Sequence, residues 1–316
     1  MNVEARILIV GLATFSVLGL LATLVVPFVT RSWISGSAAQ RANRLANLRL
    51  LPTTIAGAGC AIVITAFIAF EPRWDGESIS MAVQLAAAFA GLLLITSFWR
   101  AFRLVRDTRR TAQAWLRHAQ PVTLAGISAP ALVVDSDFPV VSVVGLRRPR
   151  LVIARAVLES CSAEELRAIL AHEQGHIDRR DNLRRLLLST APDILNWLPV
   201  SERMFAAWCD AAEEAADDDA DRVGEGGRVR LASALLKVAR LAPAASVPTP
   251  MPASALYRGE SLERRVRRLL EARHRESSSF SPGRAAGVAL GVVAVTSLTM
   301  LGSVHEFVEG LIHFLP

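Results

Sequence analysis

Two histidines four residues apart with a glutamate between them, His172-Glu173-Gln174-Gly175-His176, are the residues of this chain best suited to chemistry. On a helix, residues at i and i+4 share a face, so both imidazoles can reach one metal ion. Glu173 then projects beside them, where it can take a proton from water polarised by that metal. The pentapeptide has only three fixed positions, so a surface helix with two incidental histidines is the competing reading. The flanking residues decide between the two.

Ser162-Ala163-Glu164-Glu165 has the Ser-x-x-Glu form of a capping box, which predicts a helix start just before the motif. Leu166, Ile169 and Leu170 supply an apolar face that runs into His172, Glu173 and His176. Asp178, Arg179, Arg180 and Asp181 follow directly, and several adjacent charges would be very costly in lipid. The motif helix is therefore expected outside the bilayer, which argues against a protease cutting within it. Asp181 could orient the motif helix or a ligand, but a cap or a surface ion pair is the favoured reading.

Catalytic zinc takes three protein ligands and leaves a position open for water. Glu213, in Glu213-Glu214-Ala215-Ala216-Asp217, is the candidate third ligand, on a helix expected from about Ser201 to Val223. Asp217 falls on the same helix face and can accept a hydrogen bond from a ligand histidine, which fixes the ring and raises its basicity. Pro192 and Pro199 let the chain turn and bring this second helix beside the first. Glu214, Asp218 and Asp219 are expected on a solvated face.

With these elements in place, the chain resembles the BlaR/MecR-type membrane zinc metallopeptidases, and HtpX-like proteases more distantly. The residues that carry the likeness are Gly145 to Ile153, Ser162 to Leu166, Ala171 to His176 with Arg179-Arg180-Asp181, and the Glu-x-x-Ala-Asp element. Ala216 stands where family members often have Cys, and Leu262-Glu263-Arg264-Arg265-Val266 is similar to a Leu-x-x-Arg-Ile element near the domain end. The likeness covers roughly 121–270. It implies a gluzincin-type zinc metalloendopeptidase that cleaves a cytosolic protein, such as a winged-helix repressor, and in some members itself.

Hydrophobic residues form 52% of the 316, although 35 are Lys or Arg. Four stretches, at 7–29, 53–70, 79–99 and 285–304, approach the roughly 20 apolar residues a bilayer needs. The first is too long in its apolar core for a secretory signal and reads as an anchor; for the second, the shortest, a buried core helix competes. Arg31, Arg41, Arg44 and Arg49 follow the first span, Arg100 to Arg110 follow the third, and Arg264 to Arg284 precede the fourth. The loop between spans two and three carries Glu71, Asp75 and Glu77 against Arg73. Basic loops stay cytoplasmic. Both termini are thus expected outside the cell membrane and the motif region in the cytosol. Only His305 to Pro316 follow the fourth span, too few for an external penicillin-binding sensor, so direct β-lactam sensing is not expected.

The expected layout is residues 1–99 with three spans, 100–284 as a cytosolic metallopeptidase domain, and 285–316 with the fourth span and a short outer tail. The fold class is α+β: a multi-pass α-helical membrane protein with a zincin-like HExxH domain. Short strands are expected at 122–124, 131–134, 140–144 and 151–153, a helix at 231–241, and a loop at 243–252. Val140, Val141, Ser142, Val143 and Val144 are the candidate edge strand for an extended substrate, with core packing as the competing role for their side chains.

A formal charge of +6 could suggest nucleic acid, but Lys237 is the one lysine and the arginines cluster beside spans, where lipid headgroups account for them. Expected partners are a protein substrate and membrane lipid, not nucleic acid. Cys60, Cys161 and Cys209 lack metal-like spacing and are expected as free thiols. The mechanism expected is hydrolysis with one zinc per chain on His172, His176 and Glu213, Glu173 as general base and Asp217 behind a ligand. Tyr257 is a candidate oxyanion stabiliser. A catalytically silent membrane scaffold is the alternative.

Overall fold

Residues 3–29, 36–70, 79–136, 138–242, 259–271 and 310 are described by the computed structural model. The expected fourth span, the 243–252 loop, the loop with Glu71, Asp75 and Glu77, and Tyr257 lie outside them.

Three long helices come first: α1 (Val3–Val29), α2 (Ala38–Phe70) and α3 (Met81–Leu116). All three are long and apolar enough to cross a membrane. They leave Leu8, Leu24, Ile68, Leu85, Ile95 and Phe98 exposed, a belt of large side chains that lipid, not water, suits. Ser80 caps α3 by accepting from the Val83 amide, and α3 runs without a break from apolar sequence into its arginine-rich end.

The second helix departs from expectation. It begins at Ala38 rather than near Thr53, and carries Pro52 inside it. Ala- and Leu-rich sequence favours helix there, and the extra turns bury Ala42 and Ala46 against the motif-bearing half of the protein.

A small sheet follows, of β1 (Gln120–Val122), β2 (Ala131–Val134), β3 (Val141–Val144) and β4 (Arg150–Ala154), in the order β1-β2-β4-β3. β2 and β4 are parallel and the two outer pairs antiparallel. β1 lies earlier than the 122–124 expected. Its register pairs Val122 with Ala131, so the next partner would be Pro130, which has no N–H to donate. β3 starts at Val141; Val140 precedes it and accepts from the Ala154 amide at 2.7 Å.

The helices after the sheet are α4 (Arg155–Ser160), α5 (Ala163–Arg179), α6 (Asp181–Thr190), α7 (Pro199–Asp218), α8 (Gly227–Leu241) and α9 (Gly259–Glu271). Short 3-10 turns at Ile194–Trp197 and Asp219–Val223 flank α7. Pro199 opens α7, where the missing N–H would be unpaired anyway. The main core packs Val141, Val143, Leu151 and Ile153 of the sheet against Ala168 and Ile169 of α5 and Leu231 and Leu235 of α8. A second cluster joins Ala42 and Ala46 of α2 to Leu188 of α6 and Trp208, Ala211 and Ala212 of α7. The α+β expectation is met in this coarse form: a mostly helical protein with three membrane-length helices and one small sheet.

Candidate metal centre

The capping box forms as the sequence predicts. Ser162 Oγ accepts from the Glu165 amide at 3.2 Å, and Glu165 Oε2 accepts from the Ser162 amide at 2.8 Å. Glu165 also takes Ser233 Oγ at 2.6 Å and Lys237 Nζ at 2.7 Å, tying the start of α5 to α8. Burial alone would raise its pKa, but these bonds hold it down to about 2.

At the other end of α5, His172 Nε2 and His176 Nε2 lie 3.2 Å apart. Glu213 on α7 places Oε2 3.7 Å from His172 Nε2 and Oε1 3.7 Å from His176 Nε2. With metal–ligand bonds of about 2.0–2.1 Å, tetrahedral donors stand about 3.3 Å apart. The three side chains are thus spaced as one ion requires, and they form a group able to hold a metal. Glu213 Oε2 is buried and, among the described residues, completes no hydrogen bond, its one close cation being an ion-pair contact to Arg265 at 3.2 Å.

Behind each histidine stands a carboxylate. Asp217 Oδ1 is 3.1 Å from His172 Nδ1, and Asp181 Oδ2 is 2.7 Å from His176 Nδ1. With Nδ1–H turned to a carboxylate, each ring presents its Nε2 lone pair to the cluster. Asp181 therefore takes the orienting role and not the favoured one of cap or surface partner. It is 4% exposed and orients His176 from the first residue of α6. Its neighbour Arg180 makes this possible by adopting a left-handed conformation, with φ 54°, at the α5–α6 junction.

Arg265 of α9 is a partner that sequence reading missed. It is 3% exposed and grips Asp217 with both prongs, at 2.6 and 3.0 Å. Its Nη1 lies 3.2 Å from Glu213 Oε2. Burial would raise both carboxyl pKa values, but the guanidinium charge outweighs it and keeps Asp217 and Glu213 well below the usual carboxylate range. For His176, burial opposes the charged form, yet the charge of Glu213 and the hydrogen bond to Asp181 raise its pKa. The pocket favours a cation, proton or metal. The signal was present in the sequence as the Arg of the Leu-x-x-Arg-Val element, but nothing there tied it to Asp217.

Glu173 is 3% exposed and makes no hydrogen bond among the described residues, which leaves its carboxylate open to accept one. Gly175, inside the motif, is required for close approach. A Cβ there would run into Asp219 Oδ2, which is paired with Arg179 Nη1, and into Arg179 Nη2.

The acidic run of α7 is not the solvated face expected. Glu214 pairs with Arg41 of α2 and accepts Arg268 of α9 on its backbone carbonyl. Asp218 takes Arg228 at 2.8 Å and Arg268 at 2.7 Å, and Asp219 takes Arg179 at 2.6 Å. Surrounding helices rich in arginine turn what would be a wet face into a set of ion pairs.

The candidate substrate strand lies beside this centre. β3 is a sheet edge, its four side chains are buried, and Val141, Val143 and Val144 belong to the core. The antiparallel register turns the backbone groups of Val141 and Val143 outward from β4. Asn182 of α6 already occupies the Val143 carbonyl at 2.8 Å and the Gly145 carbonyl at 3.2 Å. The Val141 amide and carbonyl remain open among the described residues.

The family model described as BlaR1 peptidase M56 matches residues 17–269. The chain belongs to that family. None of the curated proteins searched matches it. As a member of the M56 peptidases with three membrane-length helices, it is a membrane-anchored metallopeptidase-like protein, and the matched span takes in the second half of α1, all of α2 and α3, and the His172-His176-Glu213 cluster.

Proposed function

We propose that the chain is a zinc metalloendopeptidase with an HExxH…ExxAD site, acting on a cytosolic or membrane-associated protein. The observation that carries this reading is the convergence of His172, His176 and Glu213 at tetrahedral spacing, with Glu173, unpaired among the described residues, on the motif helix. One zinc per chain would be held by those three residues, where it would supply Lewis acidity, bringing the pKa of water towards about 7 and polarising the scissile carbonyl. Asp217 and Asp181 hold the imidazoles in the tautomer that presents Nε2. Arg265 keeps Asp217 and Glu213 ionised and in place. Glu173 takes the proton from the attacking water and passes it to the leaving amine. An extended substrate pairs with the open backbone groups of Val141, inside the Val140–Val144 segment, and α5 lies alongside that edge.

The peptidase region, residues 100–284, faces the cytosol, with residues 1–99 and 285–316 supplying the spans and both termini outside. Ser97, midway along α3 and just ahead of its arginine-rich half, donates to the Thr190 carbonyl of α6, and the arginine-bearing half of α2 packs on α7. The basic ends of both helices thus stand on the same side as the site, as cytoplasmic placement requires. The substrate class is a regulatory protein of the winged-helix repressor kind, and self-cleavage is a second outcome of the same chemistry.

The experiment is metal analysis by mass spectrometry on detergent-purified protein, with His176→Ala alongside, followed by cleavage assays of wild type and Glu173→Ala. About one zinc per chain, lost in His176→Ala, and cleavage lost in Glu173→Ala with zinc retained are expected. Failure to bind zinc after reconstitution would leave a silent membrane scaffold as the better reading.

A further inference from the structure

A cleft of ≈ 420 Å³ separates the end of β3 from the α5–α6 junction. Val143, Gly145 and Arg147 line it from the sheet side, and His176, Arg180 and Asn182 from the helices. It therefore joins the candidate substrate edge directly to a candidate metal ligand.

Its charge is one-sided. Arg147 and Arg180 line it, and no aspartate or glutamate does. The arginines nearer the metal cluster are committed to carboxylates, Arg179 to Asp219 and Arg265 to Asp217, each at 2.6 Å. Arg147 and Arg180 are exposed, and their guanidinium groups have no hydrogen-bond or ion-pair partner among the described residues. Arg180 also holds the one positive-φ conformation outside glycine among the described residues. Glycine would adopt it freely, whereas any side chain there costs on the order of 1–2 kcal/mol. A long cation is placed at a position where the backbone favours none.

We propose that this cleft is a specificity pocket for an acidic side chain of the protein substrate, with Arg147 and Arg180 as partners of its carboxylate. The proposal rests on the peptidase reading above. A guanidinium fork matches a carboxylate in two parallel hydrogen bonds, which adds direction to charge attraction. Because His176 lines the same cleft, the acidic residue belongs within one or two positions of the scissile bond, at about 3.3 Å of extended chain per residue. An anionic lipid headgroup could meet the same two arginines. The edge of β3 favours a peptide, since Val141, two residues along from the cleft wall, offers open backbone groups for a pairing no headgroup can use.

The test uses the full chain, loaded with zinc, in phosphatidylcholine nanodiscs. Peptides of one core sequence carry Glu, Gln or Lys at each position in turn. Cleavage is read on wild type, and binding by fluorescence anisotropy on Glu173→Gln. One position should prefer Glu over Gln by roughly tenfold in both kcat/KM and Kd, with Lys weaker still. Arg180→Gly, which keeps the backbone conformation, should reduce that preference, and Arg147→Glu should reverse it towards Lys. Binding or cleavage without a charge preference, or a preference untouched by both variants, would overturn the proposal. So would a preference that vanishes when phosphatidylglycerol replaces phosphatidylcholine, since the arginines would then belong to headgroups. Selective binding of acidic peptides with none cleaved by wild type would keep the pocket and remove the peptidase reading. No binding and no cleavage would remove both.

Discussion

Arg265 shows how far a single residue of α9 controls a site built on α5 and α7. It neutralises two buried carboxylates at once, Asp217 by a two-pronged contact and Glu213 at 3.2 Å. Removing one partner of a buried ion pair costs about 3–5 kcal/mol, because the other charge is left without compensation. Arg265→Leu should therefore lower the unfolding temperature in detergent and weaken zinc binding about 10–100-fold, with Arg265→Lys in between, as measured by thermal unfolding and zinc titration. Glu165 gives a prediction with a sign. Its pKa is held at about 2 against an ordinary 4.5, so its bonds to Lys237, Ser233 and the Ser162 amide stabilise the fold in full above the ordinary value. That contribution falls away as pH drops from 4.5 through about 2. Wild type should lose its stability advantage over Glu165→Gln across that acidic window and keep it near neutrality, as read by unfolding at a series of pH values. At this scale the sequence was legible where one helix supplied everything: the capping box, His172, Glu173 and His176. It left the role of Asp181 open between orienting a ligand and capping, and did not show that of Arg265, because their partners are set by a junction and by a helix about fifty residues away.

Among the elements, the contact of α5 with the turn after α7 depends on Gly175. Alanine in a helix interior is ordinarily favoured over glycine by roughly 0.5–1 kcal/mol. Here a Cβ would displace Asp219 from Arg179, and overpacking of this kind costs about 1–3 kcal/mol. The clash outweighs the propensity, so Gly175→Ala should lower the unfolding temperature and Gly175→Val should lower it further. Strand and helix types were legible from alternation and periodicity. The ends were less so, since Pro130 stopping β1 acts only once the register with β2 exists. The pairing of α7's acidic residues was hidden for a similar reason. Local sequence shows five carboxylates close together, but the arginines that pair with them come from α2, α5, α8 and α9.

For the molecule as a whole, the membrane helices and the metal centre are not joined by a loose tether. Arg49 of α2 is buried against Asp193, just ahead of α7, at 2.8 Å, with Thr53 and Ser201 bonded to the same pair. A double-mutant cycle on Arg49→Leu and Asp193→Leu should show each single change costing about 3–5 kcal/mol and the double change much less than their sum, read by unfolding in detergent. Hydropathy made the spans visible, but a window on apolar residues cannot see that α2 starts at Ala38, because its first turns are stabilised by contacts with Trp208 and Leu188. The continuous α2 has a consequence for heredity as well as for mechanics. A gene fragment starting after the third span would encode a protein lacking one wall of its own core, with Trp208 and Ala211 laid bare. Recombination that shuffles anchors and enzymes as separate parts would destroy this one, so the heritable unit of exchange must carry α2 and α7 together.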